Sequence, residues 1–587
     1  MAKVGGKIFD LNLLSRLMAY SKPYRLTYYF VLIAAILLSL FSTLTPYLLK
    51  IVVDDYITPK DYDGLLFFSF LMLLTLILEV VFQFVFIYYA NWLGQMIVKD
   101  LRVELFQKLI RFKMAYFDTS AVGRLVTRSV SDIETIASIF SQGLFMIVAD
   151  LLKMSVVVII MVSVNWKLSL IVFSVLPVIV YATRVFQKSM KKAFEEVRKQ
   201  VAELNTFVQE RISGMKIVQL FNREAIEQRT FMQINEKHKK AWLHTVWFNS
   251  IFFPVAEIST SVTIGLLVWY GGLNVVAGEG ISLGIIFLFI QLSQMLFRPL
   301  RQIADKFNTL QMGMVAASRV FTILKTESQI EDKGTFSPEK IEGKIDIEDL
   351  HFFYVEDEEV LKGISLQVSP GETIAIVGAT GAGKSTIINL LSRFYEFSSG
   401  DIKIDGVTIR DYQLKDLRKH VAVVFQDVFL FADTILNNIT LYDPQISLKK
   451  VEDAAKEIGV HEFISSLPGG YHYNVKERGA MLSAGQRQLI AFLRAFLSNP
   501  TILVLDEATS SIDSYSEELI QNATETITKD KTSIIIAHRL ATIQKADRIV
   551  VMDQGKIVEV GTQQELLDKK EGYYQKLHQV QFYDLQS

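Results

Sequence analysis

Long charge-free runs follow one another up to about Leu300 and then stop. A helix needs roughly 20 apolar residues to cross the hydrocarbon layer of a bilayer. Six stretches fit: 26–49, 65–94, 139–163, 168–183, 247–271 and 282–297. The fourth is short and contains Pro177, which a helix bundle tolerates because neighbouring groups satisfy the freed carbonyl. The first is too long for a signal-peptide core and reads as an uncleaved span. Ahead of it, 11–20 has apolar residues at helical spacing and a Lys22-Pro23 stop, which predicts a short interfacial helix.

Basic residues are placed unevenly between these runs. The segment after the second run carries Lys99, Arg102, Lys108, Arg111, Lys113, Arg124 and Arg128, and the one after the fourth carries many more, from Lys188 to Lys240. The remaining loops are short and poor in lysine and arginine. By the positive-inside rule both termini are expected in the cytoplasm. Both basic segments are long and read as helical. In 193–219, Phe194, Val197, Val201, Leu204, Val208, Ile212 and Met215 recur at three- and four-residue steps. Helices continuing past the membrane and carrying short connectors are expected; a detached coiled coil is the competing reading.

Polar residues also fall inside the spans: Glu79, Gln83, Asp150, Lys153, Glu257, Gln291 and Gln294. Asp150 and Lys153 read equally as a local i,i+3 pair or as part of a pathway. Glu79 and Glu257 point to a water-filled cavity.

A chain of 587 residues, half of them hydrophobic, needs more than one core. Its 61 basic and 62 acidic side chains give a net charge of −1, without the basic excess of a nucleic-acid binder. Cysteine is absent, which excludes disulfides and cysteine-ligated metals.

After Phe321 the pattern changes. The polar stretch with Gly334, Pro338 and Gly343 reads as a linker. The expected division is a membrane domain over 1–321, a linker over 322–344, and an α/β domain over 345–587. In the last, a buried-strand run over 373–377 leads into Gly378, Ala379, Thr380, Gly381, Ala382, Gly383, Lys384, Ser385 and Thr386, then a helical stretch. This is G-x-x-x-x-G-K-S in its strand–loop–helix setting, where backbone N–H groups wrap phosphates. Lys384 is expected on the β- and γ-phosphates and Ser385 on Mg²⁺. The apolar run 502–505 delivers Asp506 and Glu507 to a strand's carboxyl end. Asp506 suits the Mg²⁺ shell, and Glu507 suits the attacking water. Leu482, Ser483, Ala484, Gly485 and Gln486 open a further helix; Ser483 and Gln486 fit a capping box, and the helix start suits a phosphate.

The order of phosphate loop, Leu-Ser-x-Gly-Gln, Asp-Glu and downstream histidine resembles the ABC ATPases. With the membrane half, nearly the whole chain resembles an ABC-type exporter of the multidrug and lipid-flippase class. Tyr116-Phe117-Asp118 with Gly123-Arg124-Leu125, and Gly214-Met215-Lys216, resemble the segments around that family's two coupling helices. The resemblance implies six transmembrane helices with long cytoplasmic extensions fused to a P-loop ATPase domain. It also implies ATP and Mg²⁺ as ligands and hydrolysis coupled to export of an amphipathic small molecule or lipid across the cytoplasmic membrane. Further roles follow by position. Tyr354 resembles the aromatic residue that stacks on adenine, Gln426 the glutamine at Mg²⁺ and water, Asp513 part of the loop joining two ATP sites, and His538 the histidine at the γ-phosphate. In the family each ATP lies between the phosphate loop of one ATPase domain and the signature helix of another, so a second half-transporter is implied, a homodimer before a heterodimer. One position departs: Ala484 stands where the signature usually has glycine. An importer and a nucleotide-gated channel or receptor are the alternatives.

Overall fold

The computed structural model describes residues 11–278, 280–506, 514–537 and 540–579. It contains two compact units. One is built from the chain up to Ile110 together with Ser120–Glu327; the other combines Arg111–Thr119 with the chain from Ser328 onward.

The first unit is helical. A short helix α1 (Leu11–Ala19) precedes α2 (Arg25–Ile51) and α3 (Tyr62–Leu109). The helix α4 (Met114–Thr119) belongs to the other unit. A helical run over Val122–Val164 ends in α5 (Phe145–Val164). There follow α6 (Trp166–Ser213), α7 (Met215–Leu220), α8 (Glu224–Ala277) and α9 (Leu283–Lys325). Among the described residues, 6 helices are long and apolar enough to cross a membrane; they contain five of the runs expected from sequence and all of the sixth but Ser282, which caps its helix. At 1.5 Å per residue, the 48 residues of α3 or α6 span about 72 Å, more than twice the hydrocarbon layer. The long helices therefore extend well beyond any bilayer they cross. Pro177 lies inside α6 without ending it.

The detached coiled coil is excluded, because α6 and α8 run without a break out of their apolar halves and pack on each other. The helix expected over 193–219 does break, at Gly214, where the chain turns into α7. Glycine costs a helix interior about 1 kcal/mol against alanine, and the apolar spacing on either side concealed that stop. In the other direction α9 continues past Phe321 to Lys325, since Val320 and Ile323 remain buried one turn apart.

Polar contacts fasten the bundle. Leu17 of α1 is fully buried, and just after it the hydroxyls of Tyr20 and Tyr24 donate to Glu104 (2.7 Å) and Asp100 (2.9 Å) of α3. Asp54, in the π-helical turn Val52–Ile57 that continues α2, accepts from Ser282 Oγ and from the Gly284 amide at 2.8 Å, capping the start of α9. Asp150 forms an ion pair with Lys306 of α9, far outside the reach of local spacing.

The second unit holds two sheets. Strands β1 (Ile345–Phe353), β2 (Glu359–Val368), β4 (Ser399–Ile404) and β5 (Val407–Thr408) form an antiparallel sheet in the order β2-β1-β4-β5. The larger sheet contains β3 (Thr373–Gly378), β6 (Val421–Val424), β7 (Ile502–Asp506), β8 (Thr532–Ile536), β9 (Arg548–Asp553) and β10 (Lys556–Gly561). Its order is β10-β9-β3-β8-β7-β6, parallel except for β10. The central strands are buried on both faces, which is why they read as unbroken Ile, Leu and Val runs. One core forms between this sheet and the antiparallel one, and another between its opposite face and helices that include Ala484–Leu497.

Candidate nucleotide site

Parallel sheets bind ligands beyond the carboxyl ends of their strands. Here β3 ends in the glycine-rich loop, which turns directly into α10 (Lys384–Leu391). A Cβ on Gly378 would lie 2.2 Å from the Met552 carbonyl oxygen of β9, so only glycine permits this strand-to-loop exit. Lys384 is buried, and its Nζ donates to the carbonyls of Gly378 and Ala379, both at 2.9 Å. Burial pushes its ammonium below the ordinary lysine range, and nearby Asp506 pulls it back up. The amide of Ala382 closes the loop on Ala379 at 3.1 Å.

The strand β7 brings Asp506 to the same end of the sheet. Ser385 Oγ donates to Asp506 Oδ2 at 3.3 Å, joining two residues 121 positions apart. A hydroxyl and a carboxylate side by side form a hard-oxygen pair of the kind Mg²⁺ prefers. Next to β7, β6 pairs Val424 with Leu505, so Gln426 emerges just beyond the matched end of the neighbouring strand and is exposed. Glu507, Asp513 and His538 lie outside the described residues.

Tyr354 follows β1. Its hydroxyl donates to Thr386 Oγ1 (3.3 Å) and accepts from Asn389 Nδ2 (3.1 Å). These bonds place the tyrosine beside the first turns of α10, with 45% of it still exposed. Asn389 had no motif to mark it; its only signal is that it lies one helical turn beyond Ser385.

The signature segment opens α11 (Ala484–Leu497). The capping box is present: the Ser483 amide donates to Gln486 Oε1 at 2.9 Å, and the Gln486 amide to Ser483 Oγ at 3.2 Å. Ala484 and Gly485 occupy the first helical positions, whose amides have no acceptor within the helix. Ala484 has ordinary helical backbone and is exposed, so replacing the usual glycine strains nothing within the chain.

A membrane helix bundle fused to a phosphate-loop ATPase defines an ATP-driven membrane transporter. Comparison with known proteins agrees. A family profile described as the ABC transporter transmembrane region matches residues 28–300, and one described as ABC transporter matches residues 361–510. The chain is 35% identical to the ABC transporter ATP-binding protein YknV of Bacillus subtilis, covering 98% of this chain and 96% of the relative. It is also 35% identical to YgaD of the same organism, whose name proposes multidrug export, over 97% of this chain and 100% of YgaD. Identity to the ATP-dependent lipid A-core flippase of Thiobacillus denitrificans is 34%, over 97% and 98% of the two chains. The chain belongs to the ABC transporter family, as an exporter half-transporter whose ATPase is coupled to transport.

Proposed function

We propose that two copies of this chain form an exporter that uses Mg²⁺ and ATP to move an amphipathic small molecule or lipid outward across the cytoplasmic membrane. The observation that carries this reading is the meeting of the phosphate loop and the end of β7 at Ser385 and Asp506, beside a buried lysine. In this reading the loop amides wrap the phosphates, and Lys384 exchanges its two carbonyl partners for phosphate oxygens. Ser385 and Asp506 hold Mg²⁺, with Gln426 at its edge; the bound ion neutralises developing phosphate charge. Glu507 orients and deprotonates the attacking water, His538 contacts the γ-phosphate, and Tyr354 stacks on adenine.

One chain carries one phosphate loop and one signature helix. The amides of Ala484 and Gly485, which have no acceptor within α11, therefore suit an ATP held by the second copy, and Asp513 joins the two sites. Exposed apolar side chains, among them Ile217 and Leu220 on α7 and Phe425, Phe429 and Phe431 after β6, give a second copy surface to bury. The relatives named for multidrug export and for lipid A-core flipping support an amphipathic substrate.

The purified chain alone, in lipid vesicles, is expected to hydrolyse ATP and to run as a dimer by mass. Ala484→Gly should change the rate by no more than about threefold, because the amide that would face phosphate is present in both residues. A chain that is inactive alone, but active when mixed with a half-transporter whose signature is Leu-Ser-Gly-Gly-Gln, would reject two identical copies.

Orientation follows from the lysine and arginine asymmetry and has its own test. Gly278 closes α8 at φ 71°, where a side chain would be strained, so exposed Val276 two residues earlier serves better as a cysteine site there, and exposed Tyr62 at the start of α3 serves for the other loop. In a chain with no native cysteine, both should label from outside intact cells, and a cysteine at Lys237 should not. Outside labelling at Lys237 would invert the topology.

A further inference from the structure

We propose that Tyr395 is a positioning residue for adenine binding: its ring braces Tyr354, and its hydroxyl ties that platform to Asp118 on α4. The inference rests on the reading of Tyr354 as the adenine-stacking residue and adds what holds it in place.

Tyr395 lies just past the end of α10 and belongs to none of the motifs. Its ring meets that of Tyr354 edge-on, with centroids 5.0 Å apart and planes at 87°. Phe352 completes a trio, 4.8 Å from Tyr354 at 88° and 5.8 Å from Tyr395 at 76°. Edge-to-face contact is the favoured geometry for aromatic pairs. Two such contacts fix the plane of the Tyr354 ring, while Thr386 and Asn389 fix its hydroxyl.

The other end of Tyr395 is also held. Its hydroxyl donates to the Asp118 carboxylate. Burial first, and then Asp118, hold the phenol well above its ordinary range, so it stays a donor at any physiological pH. Asp118 is itself anchored. The segment carrying it is part of the same compact unit, where the Lys113 amide donates to the Ser328 carbonyl at 2.6 Å and Phe112 bridges to Gln329. A residue contributed from between α3 and the Val122–Val164 run thus reaches the tyrosine platform through one hydrogen bond and one ring contact.

The test compares ATP with inorganic tripolyphosphate, which has the phosphates but no base. Affinities are measured on the full-length chain in lipid nanodiscs with Mg²⁺ present. Tyr395→Ala should weaken ATP about threefold to tenfold, the worth of one aromatic pair, and leave tripolyphosphate unchanged. Tyr395→Phe keeps the ring and should recover most of that loss. Asp118→Ala should match Tyr395→Phe, and the double variant should be no weaker than either alone, because both remove the same bond. Tyr354→Ala measured beside them separates the two readings. If it leaves the preference for ATP over tripolyphosphate unchanged, the adenine reading and this inference both fall. If it lowers that preference but Tyr395→Ala does not, only this inference falls. Equal weakening of ATP and tripolyphosphate by Tyr395→Ala would show general damage and overturn it, and multiplied losses in the double variant would reject the tie to Asp118.

Discussion

Replacing Lys384 by alanine is expected to lower ATP hydrolysis by about 100- to 1,000-fold, the usual cost of removing one preorganised charge donor from a transferring group. The structure makes the loss larger than that of a surface lysine. Lys384 is 7% exposed, and its ammonium is held by the Gly378 and Ala379 carbonyls within the loop that is to wrap the phosphates. Removing it leaves those carbonyls facing phosphate oxygens, so like partial charges meet where a cation stood. ATP affinity should fall together with turnover. Equilibrium binding of a fluorescent ATP analogue and steady-state phosphate release measure the two effects. A variant that binds and hydrolyses normally would remove Lys384 from the phosphate site.

Glu507→Gln should separate these two quantities. A general base contributes typically about 10²- to 10⁴-fold, and an amide of the same size cannot take the proton. Hydrolysis should fall by that factor while ATP binding is retained, because the charge contacts of Lys384 and the Ser385–Asp506 pair remain. Trapping of radiolabelled ATP on the purified variant, alongside phosphate release, tests this. Near-normal turnover would mean that another group activates the water.

What could be read from the sequence was what is local. A membrane span is an uninterrupted apolar run, and a phosphate loop is a short contiguous string whose glycines, lysine and serine act together. Both were legible for that reason, and so was the capping box of Ser483 and Gln486. Contacts that join distant positions carried no such signal. Asp150 pairs with Lys306, 156 positions away, although Lys153 stood closer in sequence. Tyr395 reaches Asp118 across 277 positions, and neither residue type is unusual where it stands. The stop at Gly214 was hidden for another reason: apolar periodicity carries on across a break whenever the next short helix happens to keep the same phase.

The membership of Arg111–Thr119 in the second unit has a practical side. Cutting the gene between Glu327 and Ser328 looks like a clean way to obtain a soluble ATPase, since that is where the second unit's long stretch begins. Such a fragment would omit nine residues that belong to its own body. The Ser328 carbonyl would lose the Lys113 amide, and Tyr395 would lose the carboxylate that holds its hydroxyl. Nucleotide affinities measured on the fragment would then describe a different object from the ATPase in the intact transporter. A fusion that restores residues 111–119 through a flexible tether would be the better reference protein.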